Sequence, residues 1–336
     1  MMFFKLLFFS TMMMGTLISI SSYSWFGMWM GLEINLISII PLFAKNINMY
    51  SSEASIKYFL TQALASMFIL LSVILMSLNN EFISQNYHFI LTMIMNSGLL
   101  TKMGAAPFHF WFPEIMEGLS WMNCLILLTW QKIAPMILLM YNSMMNMFLM
   151  FIIIVSMIIS GIMGFNQISL RKILTYSSIN HIGWMISALT QSKIIWVYNF
   201  IIYTIISLNL ILIFNKMKIF FISQLISFLT FKPYLKLFFL LNFMSLGGLP
   251  PFLGFLPKWL VINELCLNKN FILSFILILF TLLTLYFYIR TILTGMIINY
   301  NSNLMFMNKK NHFLIFIFNF FSISGLMMFP MFFNFT

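Results

Sequence analysis

Charged residues are scarce in this sequence. Only 7% of its 336 residues are charged, aspartate is absent, and 62% are hydrophobic. Soluble domains carry about 25% charged residues, which keep their surfaces hydrated. A chain of this length with so few charges cannot cover a soluble core, so the composition predicts an integral membrane protein.

Cysteine is also scarce. Cys124 and Cys266 lie far apart and form no Cys-x-x-Cys pair, so the sequence supports neither iron–sulfur ligation nor a disulfide framework. It contains no nucleotide-binding loop, and we expect no cofactor and no metal on this chain. The N-terminal apolar run continues as a full span, which argues against a cleavable targeting peptide.

Long apolar runs are abundant. A run of about 17 residues or more can cross the hydrocarbon core, and runs without period-two alternation predict helices rather than a barrel. The fold class is therefore an all-α integral membrane protein with about 11 transmembrane helices. The predicted spans are 3–21, 25–43, 58–78, 88–111, 121–142, 146–165, 173–190, 194–215, 237–265, 271–295 and 313–334.

The net charge of +11 is distributed asymmetrically. With eleven spans, the outer side receives Lys193 and Lys269, and the N-terminal side receives most of the other basic residues. They are Lys5, Lys45, Lys57, Arg171, Lys172, Lys216, Lys218, Lys232, Lys236, Lys309 and Lys310. This is the positive-inside pattern, so the charge sets membrane orientation and does not indicate a nucleic-acid partner.

One phrase occurs twice in the chain. Residues 104–113 and 248–257 both read Gly-x-x-Pro-Phe-x-x-x-x-Pro, and both interrupt apolar runs. Proline removes a backbone donor and clashes with the preceding turn, so we expect discontinuous helices near residues 104–113 and 247–257. Paired breaks in two halves point to an ion or substrate path; two unrelated proline kinks are the plainer alternative.

The breaks divide the single transmembrane domain into two five-helix units. The first is predicted over 1–145 and the second over 146–297, with an extra C-terminal helix in 298–336. An odd number of helices per unit makes the second unit enter from the opposite side, so we expect an inverted repeat.

Three charged side chains fall inside the first unit. Glu33 lies near the middle of the second span, Lys102 one turn before the first break, and Lys132 in the middle of the fifth span. A charge at such depth is costly and indicates function. The alternatives are a structural contact for Glu33 and snorkelling of Lys102 to the interface.

Two titratable residues are candidates in the second unit. Lys258 directly follows the second break, and it is deep if the helix resumes there but a loop lysine if it does not. His181 lies in the seventh span beside Ser177, Ser178 and Asn180. Histidine titrates near neutral pH, although a lone histidine can be a packing residue. Together with Glu33, Lys102 and Lys132, these residues suggest a mid-membrane proton relay.

Six phrases of the chain resemble the NADH–ubiquinone oxidoreductase chain 2 family, the antiporter-like membrane subunits of respiratory complex I. The resemblance covers almost the whole chain, and the phrases occur in the family's order. The phrases are WMGLEIN (29–35), SEASIKYFLTQ (52–62), GAAPFHFW (104–111), TWQK (129–132), NQISLRK (166–172) and SLGGLPPFLGFLPKW (245–259).

The resemblance implies roles for the candidate residues. Glu33 corresponds to the family's intramembrane glutamate, and Lys102 to the lysine of the first broken helix that pairs with it. Lys132 corresponds to the central relay lysine, Lys258 to the lysine of the second broken helix, and His181 to a polar position on the central axis.

The resemblance also implies partners and a location. FMN, iron–sulfur clusters and ubiquinone are expected on partner subunits, with other membrane-arm and accessory subunits around this chain. The implied location is the mitochondrial inner membrane, with the N-terminus on the matrix side and the C-terminus in the intermembrane space. Basic inner loops could also bind a phospholipid such as cardiolipin.

Two other functions remain open from the residues alone. A stand-alone cation/proton antiporter of related fold would carry the same buried charges. A passive scaffold subunit would use them only to specify helix packing. The leading prediction is a proton-translocating subunit driven by electron transfer from NADH to ubiquinone elsewhere in the complex.

Overall fold

A computed structural model describes residues 2–44, 48–78, 85–142, 146–229, 233–296 and 319–320. The regular structure within these ranges is helical. The helices are α1 (Met2–Ser21), α2 (Trp25–Phe43), α3 (Met49–Leu78), α4 (Gln85–Met103), α5 (Trp111–Gly118), α6 (Trp121–Leu128), α7 (Trp130–Tyr141), α8 (Asn146–Gly164), α9 (Leu170–Gln191), α10 (Lys193–Met217), α11 (Ile222–Leu229), α12 (Pro233–Gly247), α13 (Phe255–Leu267) and α14 (Phe271–Met296).

Seven segments of the described chain are long and apolar enough to cross a membrane. They lie in α1, α2, α3, α8, α10 and α14, and in α6 and α7 taken together. The predicted count of eleven is not confirmed. The helical parts of spans 88–111 and 237–265 are short on either side of the breaks, and α9 is too polar to qualify. Span 313–334 lies outside the described residues except for 319–320.

The contacts divide the chain into two compact units, Met1–Ser156 and Met157–Thr336. In the first unit α1 packs along α2, and α3 contacts α2, α4 and α5. α7 packs against α4 and α1. The buried face of α3 is polar at helical spacing, because Ser51, Ser55, Tyr58, Gln62 and Ser66 all lie on it.

The second unit is organised around α9. This helix contacts α10, α13 and α14, and its residues are buried on every side from Ile173 to Leu189. Its interior includes Ser177, Asn180 and His181. Polar groups inside lipid need partners from neighbouring helices, so α9 supplies the polar interior of this unit.

Both expected breaks are present. α4 ends at Met103 and α5 begins at Trp111, while α12 ends at Gly247 and α13 begins at Phe255. The first residue after each helix is a glycine with positive φ, 74° at Gly104 and 75° at Gly248. Glycine tolerates this left-handed conformation without steric cost. The peptide bonds before Pro107 and Pro251 are cis.

The fifth predicted span, 121–142, is not one continuous helix. It is interrupted at Thr129, between α6 and α7, and the Lys132 N–H bonds the Thr129 carbonyl at 3.2 Å, three residues back. Pro135 lies in the next turn and cannot donate to the Gln131 carbonyl. Lys132 therefore lies in the first turn after an interruption, not in the middle of a helix.

Candidate functional site

Glu33 and Lys102 approach each other in the first unit. α2 carries the half-buried Glu33, and the last turn of α4 carries Lys102, which is 7% exposed. The two charges are close enough to attract each other. No ion pair joins them within the part of the chain that the structure describes, so Glu33 and Lys102 are neighbours without a direct salt bridge.

A small polar cavity lies beside Lys102. It contains about 260 Å³ of empty space, opening included, and its walls come from α2, α3, α4 and α7. Its lining residues are Leu32, Asn35, Leu36, Tyr58, Gln62, Lys102, Gln131 and Pro135. Among the described residues, none offers a hydrogen-bond partner to Lys102 Nζ or Gln62 Nε2. The cavity therefore combines a buried ammonium with an unsatisfied amide.

One wall of this cavity is a hydrogen-bonded amide cluster. Asn35 Nδ2 donates to Gln131 Oε1 at 3.1 Å, and Gln131 Nε2 donates back to Asn35 Oδ1 at 3.1 Å. Tyr58 OH donates to Gln131 Oε1 at 3.3 Å. Asn35, Tyr58 and Gln131 thus join α2, α3 and α7, and we call these three residues the amide cluster.

The amide cluster and Gln62 were not among the functional residues predicted from the sequence. A signal was available on α3, where polar residues at 51, 55, 58, 62 and 66 repeat every three to four positions and predict a polar face. Charge inside an apolar run stands out in a sequence, whereas a neutral amide or phenol does not, so this signal is weaker than that of the lysines.

Lys132 follows Gln131 directly on α7. Its side chain is 1% exposed, and its Nζ lies 5.6 Å from the centre of the Phe112 ring. An ammonium over an aromatic face is attracted to the ring electrons. The structure therefore places this lysine in the interior of the first unit, against α5.

Trp111, the first residue of α5, bonds back to the end of α4 across the first break. Its indole Nε1 donates to the Thr101 carbonyl at 3.1 Å, and the Gly104 N–H donates to the same carbonyl at 3.1 Å. Both donors to this carbonyl are neutral, and Lys102 Nζ does not bond it.

An exposed ion-pair group ties α5 to α3 near the first break. Lys57 Nζ lies 2.9 Å from Glu53 Oε1 and 2.9 Å from Glu114 Oε2. These side chains are between 42% and 61% exposed, and exposed ion pairs contribute little to stability. We therefore expect this group to link α5 to α3 while contributing little to the stability of the chain.

Lys258 lies on the resumed helix after the second break, and it is 8% exposed. Its Nζ donates to the Gly247 carbonyl at 2.7 Å and approaches the Leu246 carbonyl at 3.4 Å. It also lies 5.9 Å from the centre of the Trp184 ring of α9. The alternative of a solvated loop lysine is therefore wrong.

His181 lies on α9, one turn before Trp184. It is 6% exposed, and its ring centre lies 4.9 Å from that of Tyr203 on α10. Neighbouring Asn180 donates to Thr284 Oγ1 of α14 at 2.8 Å. In the second unit His181 thus lies on the buried helix α9, and Lys258 lies against that helix. No group of three or more metal-ligating side chains occurs in the described ranges.

Comparisons with known proteins agree on a family. A family model described as "NADH:quinone oxidoreductase/Mrp antiporter, TM" matches residues 22–284. The chain is 50% identical over 324 residues to "NADH-ubiquinone oxidoreductase chain 2" of Anopheles gambiae, covering 94% of each. It is also 50% identical over 326 residues to the protein of the same name from Aedes aegypti, covering 96% of this chain and 95% of that one.

The fold matches a chain in the solved structure "Respiratory complex I from Thermus thermophilus with bound Aureothin". The TM-score is 0.85 at 21% identity, and the match covers 98% of this chain and 80% of the other. The all-helical membrane fold predicted from the sequence is confirmed at this level.

Proposed function

This chain belongs to the NADH:quinone oxidoreductase/Mrp antiporter membrane-subunit family, and from that membership we propose that it is the chain 2-type proton-translocating subunit of respiratory complex I. Electron transfer from NADH to ubiquinone on partner subunits would drive it. Relatives at 50% identity over almost their whole length carry that name, which favours this function over a stand-alone cation/proton antiporter.

The observation that carries the proposal is the buried, unpaired Lys102 ammonium beside a polar cavity and near Glu33. Burying charge in lipid is costly and persists where it serves a function. At an effective dielectric of about 20, opposite charges attract by about 4 kcal/mol at about 4 Å and about 2 kcal/mol at about 8 Å. A movement of a few ångströms therefore changes how strongly the lysine holds its proton.

We propose Glu33, Lys102 and Lys132 as the relay groups of the first unit, and His181 and Lys258 as those of the second. The cavity at Lys102 is polar, and a water molecule bound there could bridge Lys102 Nζ and Gln62 Nε2. The inverted five-helix repeat and the orientation with the N-terminus in the matrix are also part of this proposal. FMN, iron–sulfur clusters and ubiquinone belong to partner subunits in this scheme.

The substitution Lys132→Ala tests the relay. We expect the complex to assemble, with proton-coupled NADH:ubiquinone turnover lowered by at least about tenfold, because a positioned proton-transfer group contributes that much or more. The measurements are the amount of intact complex in inner membranes and proton uptake per NADH in sealed vesicles. Normal pumping by the assembled variant would contradict the relay and favour the scaffold alternative.

The need for an electron donor distinguishes the proposed function from the antiporter alternative. A stand-alone antiporter exchanges cations for protons in vesicles that contain this chain alone and receive no NADH. We expect no exchange under those conditions.

A further inference from the structure

Gln131 is the centre of the amide cluster. Its Oε1 accepts hydrogen bonds from both Asn35 and Tyr58, and its Nε2 donates to Asn35. An amide oxygen has two acceptor positions, so both are used here. Gln131 itself is 9% exposed, Asn35 is 4% exposed and Tyr58 is 3% exposed. Buried hydrogen bonds of this kind hold their helices at defined distances.

The backbone hydrogen bonding at this point is incomplete. The Thr129 N–H bonds the Leu125 carbonyl at 3.0 Å, but the Lys132 N–H reaches back only to Thr129, and Pro135 leaves the Gln131 carbonyl without its helical donor. Side-chain hydrogen bonds from Gln131 add to this incomplete ladder. They fix the start of α7, where Lys132 lies.

The same cluster also ties α2 to α7 near Glu33. Asn35 lies two residues after Glu33, and its reciprocal pair with Gln131 ties this part of α2 to α7. The Lys102 cavity is bounded by both amides. The separation of Glu33 from Lys102, and the width of the cavity, depend on where the Asn35–Gln131 pair holds these helices.

We propose that Gln131 is a positioning residue of the proton path. Through Asn35 and Tyr58 it holds Lys132 and the Glu33 segment at fixed distances from Lys102. This inference rests on the proposed function, since it needs a proton path in which those distances matter. The alternative is that the three residues only join helices, in which case losing them affects assembly and nothing else.

The test compares two variants in the assembled complex. Gln131→Leu keeps the size of the side chain and removes its hydrogen bonds. The double variant Asn35→Gln with Gln131→Asn exchanges the two amides and preserves the combined length of the pair. We expect Gln131→Leu to lower proton uptake and NADH:ubiquinone turnover by about tenfold, since small misplacement of reacting groups has large effects on rate. The exchanged pair should restore turnover to within about threefold of the unsubstituted complex.

A second buried amide pair provides the control. Asn142 Nδ2 donates to Asn96 Oδ1 at 2.8 Å, joining α4 to the end of α7 away from the Lys102 cavity. Asn142→Leu in the assembled complex should leave turnover unchanged. This control separates the loss of any buried amide from the loss of this one.

Two outcomes would overturn the inference: assembled Gln131→Leu with unchanged turnover, or an exchanged pair that stays as slow as Gln131→Leu or does not assemble. If Gln131→Leu itself does not assemble, Tyr58→Phe replaces it, because this change removes one donor to Gln131 and keeps the ring. About threefold slower turnover then supports the inference, and unchanged turnover overturns it. Lys132→Ala is measured in parallel. If turnover is slow in Lys132→Ala but normal in Gln131→Leu, only the positioning role is rejected. If turnover is normal in Lys132→Ala, the proposed relay itself is rejected.

Discussion

The Lys258 ammonium of α13 lies 2.7 Å from the Gly247 carbonyl oxygen and donates a hydrogen bond to it. A charged side chain thus closes the end of α12. At the first break, the Thr101 carbonyl accepts hydrogen bonds from the Gly104 N–H and from the neutral indole of Trp111. The two breaks share their glycine conformation, but Lys258 donates to a backbone carbonyl, whereas Lys102 Nζ has no hydrogen-bond partner among the described residues.

Lys258→Met should destabilise the chain. The Gly247 carbonyl would lose its donor inside lipid, and an unsatisfied buried carbonyl costs about 1–3 kcal/mol. Thermal denaturation of the purified complex, with the amount of assembled chain, measures this loss. Lys193→Met removes an exposed lysine and should change neither quantity. Equal stability of the two variants would show that the hydrogen bond to Gly247 contributes nothing.

Trp111→Phe should lower the stability of the chain at the first break. The phenyl ring keeps the packing but cannot donate to Thr101, and we expect a loss of about 0.5–1.5 kcal/mol. The matched control is Trp130→Phe, because no described residue accepts a hydrogen bond from the Trp130 indole. Thermal stability of the two variants, measured side by side, checks the difference. A loss no larger for Trp111→Phe than for Trp130→Phe contradicts the capping role.

Gly248→Ala should cost more than Gly104→Ala. Both glycines have positive φ, where a side chain costs about 1–2 kcal/mol. At Gly248 an added Cβ would also lie 2.7 Å from Lys258 Cδ and 2.8 Å from its Nζ, so the lysine must move. At Gly104 the nearest atom is 3.1 Å away, in the Phe112 ring.

Gly161→Ala is the control for these glycine variants. Its added Cβ would meet nothing closer than 3.6 Å, and alanine is favoured over glycine inside a helix by about 0.5–1 kcal/mol. It should be neutral or stabilising in thermal denaturation of the complex. The order Gly161→Ala, Gly104→Ala, Gly248→Ala, from most to least stable, is the expected result.

The effects of Glu33→Gln and Lys102→Met on turnover should not be additive. Each is expected to lower proton-coupled turnover by about tenfold, and the double variant should be no more than about twofold slower than the slower single variant, since residues that work together are not additive. Independent roles would instead multiply to about a hundredfold loss. Glu53→Gln, which removes an exposed carboxylate, should leave turnover unchanged.

The sequence predicted the positions of both breaks, because glycine and proline act locally through φ preference and the missing N–H. It also identified Lys102, Lys132 and Lys258 as buried, because charge in an apolar run is conspicuous. It did not predict the interruption at Thr129, where Pro135 acts on the preceding turns and the helical continuation depends on packing.

The amide cluster could not be predicted from the sequence for a different reason. Asn35, Tyr58 and Gln131 lie on three helices, and their pairing depends on the relative rotation and depth of those helices. A single sequence gives the polar face of each helix but not which faces meet. The predicted span 173–190 is not confirmed at α9 for a related reason. Hydropathy measures how well a helix suits lipid, whereas the residues of this helix are buried among other helices.

That enclosure of α9 bears on how the chain is made. A helix carrying serine, asparagine and histidine on its inner faces gains little by entering hydrocarbon alone. It is held there by α10, α13 and α14, of which the last two are synthesised well after it. On this argument we expect α9 to settle stably in the bilayer only after α13 and α14 have been synthesised.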